Sequence, residues 1–198
     1  KTVVLKPFEG KVFRDALRSS ELFNVASDQK GYAWMSGAYY YYAIDYGHAR
    51  AKVYNQASTG TFGMDTNLLY VYAYQYDTYF FNLRNGAFRT NLAMIPTKNE
   101  GSTYRVRMIL SAPEFGTLTK EWPADATQRL TGFAQLNDVF SYFGVGGIST
   151  DRALLYVTLI DQSPSDVRFY SYVTLNDNGT SDPIFRLPGY PVSSPPIF

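Results

Sequence analysis

"TYRVRMIL", residues 103–110, decides the fold class. Tyr104, Val106, Met108 and Leu110 alternate with Arg105 and Arg107, so a period of two sets an apolar face against a charged one. That is the pattern of a strand lying on a core. Working outward, "LLYVYAYQY" (68–76) puts Leu68, Tyr70, Tyr72, Tyr74 and Tyr76 opposite Leu69, Val71, Ala73 and Gln75. Both of its faces ask for cover, as in a strand inside a sandwich or at a subunit contact. "ALLYVTLI" (153–160) and "VRFYSYVTL" (167–175) read as two more strands. The turn residues of "DQSPSD" between them predict a hairpin.

Aromatic residues set the character of the surface. The chain holds 18 tyrosines and 14 phenylalanines, residues that pack well on a pleated, half-buried layer. Seven of the tyrosines fall in "YAWMSGAYYYYAIDYGHARAKVY" (32–54), together with Trp34 and the sole histidine, His48. Tyr39 and Tyr41 alternate with Tyr40 and Tyr42, so the rings are dealt to two faces. A sugar-binding sheet needs its rings on one open face; rings on both suit a layer covered from either side, partly by other protein. Tyr39, Tyr41, Tyr70, Tyr72 and Tyr74 are therefore candidate interface residues.

Two helices are expected. In 10–23, "GKVFRDALRSSELF", Phe13, Ala16 and Leu17 form one stripe. In 130–143, "LTGFAQLNDVFSYF", Leu130, Phe133, Leu136 and Phe140 recur at helical spacing until Gly144 stops the run. Gly144, Gly146 and Gly147 then read as a hinge into the last hairpin. The C-terminal segment carries Pro183, Pro188, Pro191, Pro195 and Pro196. Prolines keep it out of a sheet interior, so residues 183–198 are expected to form an extended arm after a single β-sandwich domain spanning 1–182. Leu187, Tyr190, Ile197 and Phe198 make that arm apolar and add it to the candidate interface.

Composition excludes more than it selects. With 198 residues the chain is long enough for its own core. There is no cysteine, which removes disulfides, thiolate metal sites and cysteine nucleophiles. Eighteen basic residues against 17 acidic ones, scattered along the chain, leave no basic patch for nucleic acid or anionic lipid. No apolar run approaches the ~20 residues of a transmembrane helix.

Catalytic and metal chemistry finds little to build on. His48 has Asp45 nearby, but nothing completes a nucleophilic triad around it. "NDNGTSD" (176–182) lacks the spacing of a calcium loop and reads as a hairpin turn on Asn178-Gly179. Asn178-Gly179-Thr180 also matches a glycosylation acceptor, which matters only in a secreted chain. Glu114 with Glu121, and Asp161 with Asp166, are acid pairs whose geometry sequence does not fix; turn acids are the plainer reading. No catalytic residue, cofactor or metal site is expected.

The order of these pieces resembles the capsid proteins of picorna-like viruses. "FRDALRSSELF" (13–23), the aromatic stretch from residue 32, "TYRVRMILSAPEFG" (103–116), the late "LLYVTLIDQSPSDVRFYSYVTL" (154–175) and a proline-rich end follow one another as in that family. Phe13 to Arg18 stand where the family has a short helix, and Trp34-Met35-Ser36-Gly37 where a long central strand opens. "DVRFY" resembles its last strand, and Pro195-Pro196 its end. Residues 60–94 have no counterpart. The resemblance implies an eight-stranded antiparallel jelly roll that assembles with other capsid subunits into an icosahedral virion, with no enzymatic activity and possible contact with a host receptor. Lys1 is then compatible with release from a polyprotein. The competing expectation from the residues alone is a secreted or cell-surface β-sandwich that binds carbohydrate or builds a fibre.

Overall fold

Tyr104, Val106, Met108 and Leu110 do share one face, and all four are buried. The computed structural model describes residues 24, 50–57, 60–67, 77–96, 103–160, 169–180 and 183–189. The chain divides into two compact units, Lys1–Ser36 and Gly37–Phe198. All of the elements below belong to the second. The helix expected over 10–23 and the strand over 68–76 lie outside the described residues.

In chain order the elements are β1 (Arg50–Ala57), β2 (Gly60–Asn67), β3 (Asp77–Asn85), β4 (Phe88–Pro96), β5 (Thr103–Tyr104), β6 (Val106–Ala112) and β7 (Gly116–Trp122). There follow β8 (Leu130–Thr131), β9 (Ala134–Leu136), α1 (Val139–Phe143), β10 (Thr150–Leu159), β11 (Phe169–Asp177) and β12 (Pro183–Arg186). Sheet one runs β3-β10-β6-β7 and sheet two β12-β11-β4-β9; β1 pairs β2, and β5 pairs β8. Every pairing is antiparallel. The described chain is thus an all-β sandwich with one short helix.

The core lies between the two four-stranded sheets. Phe80, Met108, Leu110, Leu155 and Val157 from sheet one meet Leu92, Met94, Phe169, Val173 and Leu175 from sheet two in one cluster. Each such side chain removed from water contributes ~1.5–3 kcal/mol before entropy is set against it. α1 closes one side of this layer with Val139, Phe140 and Phe143. Its start is fixed by Asp138, in a left-handed conformation, whose Oδ1 accepts the Ser141 N–H at 3.0 Å. Its end is Gly144, whose φ of 84° lets the chain turn back.

Three expectations are corrected here. Strands β10 and β11 do not form a hairpin: β10 pairs β3 and β6 in sheet one, whereas β11 pairs β4 and β12 in sheet two. The two segments bury their apolar faces against each other across the core, so they oppose rather than adjoin. The helix expected over 130–143 is confined to Val139–Phe143, because Gly132 takes a φ of 56° and the preceding residues pair as β8 and β9. Leu136 sits opposite Leu92 in β4, so its burial serves a strand; apolar residues three apart do not distinguish the two periods over so short a run. Finally, Arg105 is not on an exposed face. It is buried, and its guanidinium meets Glu121, which also holds the exposed Arg107 at 3.2 Å.

The hairpin expected at Asn178-Gly179 is present between β11 and β12, with Asn176 opposite Pro183. Its chemistry belongs to the preceding residue. Asp177 Oδ1 accepts the N–H groups of Gly179 at 2.7 Å and Thr180 at 3.1 Å, an Asx turn. Residues 183–186, the beginning of the expected arm, form an edge strand. Pro183 stands at its first position, where a missing N–H is tolerated.

Candidate functional site

The outer face of sheet one carries an apolar strip bordered by polar residues. Along β10 the inward set is Ala153, Leu155, Val157 and Leu159, all buried, which leaves Leu154, Tyr156 and Thr158 on the far side. Register then builds a row across the strands: Tyr79 of β3, Tyr156 of β10, Ile109 of β6 and Thr119 of β7 are successive partners. The Tyr79 and Tyr156 rings meet at 4.7 Å between centroids, and Tyr79 stacks on Phe81 of its own strand at 6.4 Å. Tyr79, Ile109, Leu154 and Tyr156 are half-buried and Phe81 is 44% exposed. Rings on a strand's outer face bury area cheaply when a second surface covers them, because two torsions fix a large body.

The chain's C-terminal segment runs along the margin of this face. After β12 it reaches the edge of β3 away from β10, where the Gly189 N–H donates to the Tyr79 carbonyl at 2.8 Å. A Cβ at Gly189 would stand 2.9 Å from the Phe81 ring, so glycine is what allows the close approach. Arg186 also donates to the Phe81 carbonyl, at 3.4 Å. Leu187 is 46% exposed and Ile184 is 43% exposed. Together with Phe81 they are the exposed large apolar residues among those described.

The outer face of sheet two is different. Ala93 of β4 and Tyr170 of β11 point away from the core, and both are buried. Tyr172 packs on Phe185 of β12 at 4.8 Å, and burial raises its phenol pKa above the ordinary value. One outer face is therefore covered at its centre and the other is half open. On the open face Tyr156 also titrates above the ordinary phenol value, chiefly through partial burial, against which a hydrogen bond with Thr158 works.

Of the residues singled out in the sequence as an interface, Leu187 is described and exposed. Tyr39, Tyr41, Tyr70, Tyr72, Tyr74, Tyr190, Ile197 and Phe198 lie outside the described residues, as do His48, Asp45, Asp161 and Asp166. Tyr79, Phe81, Ile109 and Tyr156 were not anticipated. For Tyr156 the signal was available in "ALLYVTLI", where the second alternate set, Leu154, Tyr156, Thr158 and Ile160, is apolar but for one threonine.

Of the acid pair, Glu114 lies in the turn before β7 and Glu121 near the far end of that strand. The five residue steps from Gly116 to Glu121 span about 17 Å, well beyond the ~5–10 Å of a glycosidase pair. Each acid is engaged by cations or hydroxyls. Glu114 accepts from Thr150 at 3.0 Å and from Arg152 at 3.3 Å. Its own backbone N–H, then Thr150 and Arg152, hold its carboxyl below the usual range. Asp125 is likewise lowered, by the Thr127 N–H and hydroxyl. Among the described residues no cluster of three or more His, Cys, Asp or Glu could hold a metal ion, and no helix is long and apolar enough to cross a membrane.

Asn178 is exposed, and its side-chain amide donates to the Gly86 carbonyl at 3.0 Å while its backbone N–H donates to Ala87 at 2.9 Å. The turn is thus fastened to the corner between β3 and β4. Comparison with known proteins finds no family model, no curated protein and no solved structure that matches the chain.

Proposed function

We propose that this chain is a structural subunit that assembles with copies of itself or with related chains into a closed shell, as the resemblance to picorna-like capsid proteins implies. The observation that carries the reading is the half-open apolar row Tyr79–Tyr156–Ile109 with Leu154 and Phe81 beside it. A lone soluble sandwich normally sets polar residues there. Nearby, Arg107 and Glu121 supply a charged margin, the arrangement of an apolar centre with a polar rim.

A jelly roll is the wrapping that this reading expects, and the strand pairing supports it. β6 with β7 is the innermost pair; β5 with β8, β4 with β9 and β3 with β10 enclose it in turn. Such nesting is a long two-stranded ribbon folded over into two sheets, which hides its edges. In this proposal the chain resides in a virion, its partners are other shell subunits, and it performs no catalysis.

Sedimentation velocity of the chain across concentration at neutral pH tests the proposal. Assemblies well above 22.4 kDa are expected, and Ile109→Glu, which puts a charge at the centre of the row without touching the core, should return them to monomer. A 22.4 kDa species at every concentration that binds members of a glycan array would replace the shell reading with the carbohydrate-binding one.

A further inference from the structure

Strand pairing follows one rule with one departure. The pairs β6–β7, β5–β8, β4–β9 and β3–β10 are nested, each outside the last. Continuing outward, the partner of β11 would be a strand that precedes β3, and among the described strands β2 is the one before it. Instead β2 pairs with β1, and β11 takes β12 from its own C-terminal side. β2 packs beside β12. The edge of β11 is therefore filled by a strand that is out of sequence with the rest of the ribbon.

That strand is weakly rooted. Each of the other strands in the two sheets contributes to the apolar core or packs against it, whereas no residue of β12 does. Its hold on the sandwich consists of four register pairs with β11, from Val173–Arg186 to Asn176–Pro183, the ring contact of Phe185 with Tyr172, the packing of β2 beside it, and the bonds of Arg186 and Gly189 to β3. None of these needs β12 to come from the same chain. A second copy carries the same donor and the same acceptor, so every contact is remade in the same register when two chains exchange the strand, which makes exchange a low-cost route to association. Ile184 and Leu187 already stand exposed on the segment that would cross.

We propose that β12 is an exchangeable strand: in the assembled protein it leaves β11 of its own chain and pairs with β11 of a second copy. This rests on the assembly reading above and specifies one of its contacts. The occupant of the β11 edge is then a second copy's residues 183–186, followed across the β3 edge by that copy's Gly189.

Cysteine pairing tests it without interference, since the chain has no cysteine of its own. Thr174 and Phe185 are register partners on the outer face, and partners in an antiparallel ladder stand ~4.5–5.5 Å apart at Cα, within the reach of a disulfide. Two single variants, Thr174→Cys and Phe185→Cys, are mixed, assembled and oxidised. Exchange predicts a disulfide-linked heterodimer in the assembled fraction, absent when either variant is oxidised alone. The double variant Thr174→Cys with Phe185→Cys, oxidised at high dilution, locks β12 to its own chain; it should lose the assembled fraction and regain it on reduction, which also shows that the variant folds. Assembly without the heterodimer, and undiminished by the lock, would overturn the exchange while leaving the shell reading intact. A chain that stays monomeric throughout and forms no heterodimer would overturn both.

Discussion

Tyr104 shows how much one side chain can report. It is 2% exposed, one of the largest fully buried residues, and its hydroxyl donates to the Gly132 carbonyl at 3.1 Å. Burial pushes its phenol pKa far above the ordinary value of 10.0. The sign follows from which state holds the proton. Above about pH 10 the unfolded chain releases it while the folded chain keeps it, so stability that is complete below pH 10 falls as pH rises toward the native value, by up to ~1.4 kcal/mol per pH unit. Tyr104→Phe should cost about 1 kcal/mol at neutral pH through the lost hydrogen bond. It should also flatten the alkaline decline, because the titrating group is gone. Urea midpoints at pH 8, 10 and 11 for both proteins decide it: equal alkaline slopes would mean that Tyr104 titrates no differently when folded. The sequence made the burial of Tyr104 readable through its alternation with Val106 and Met108, but placed Arg105 wrongly. A guanidinium can be buried when a carboxylate meets it, and Glu121 stands sixteen residues away, beyond any local pattern.

At the level of elements, strands were easier to read than their neighbours. β10 and β11 are visible as alternating runs, yet their assignment to opposite sheets depends on which apolar faces meet across the core, and Leu155 and Val173 carry no mark of that choice. Between 130 and 143 the apolar residues fit both periods, and the deciding influences were Gly132 and the ladder with β4. The β11–β12 turn was legible as a turn, but its determinant was Asp177. Asp177→Ala removes the acceptor for two backbone N–H groups and should destabilise the protein by about 1 kcal/mol. Proteolysis or hydrogen exchange should show the loss concentrated in β12 and the turn. Loss spread evenly over both sheets would contradict the view that β12 is held separately from the core.

For the whole molecule, the two-layer architecture was legible and the candidate surface was only half so. The tyrosines on both faces of 39–42 and 68–76, on which a layer with apolar exteriors was expected, lie outside the described residues; the outer strip of sheet one is built from others. The particular residues that form it, Tyr79, Phe81, Ile109, Leu154 and Tyr156, come from three strands brought together by register that no local pattern encodes. The asymmetry of the sandwich supports the assembly proposal, in which the half-open face of sheet one receives a companion subunit. Hydroxyl-radical footprinting read by mass spectrometry measures that cover directly, comparing dilute with concentrated protein. Oxidation of Tyr79, Phe81 and Tyr156 should fall on association while that of exposed Trp122-side residues of β7 such as Lys120 serves as reference; assembly with those three rings oxidised as readily as in the dilute chain would contradict the claim.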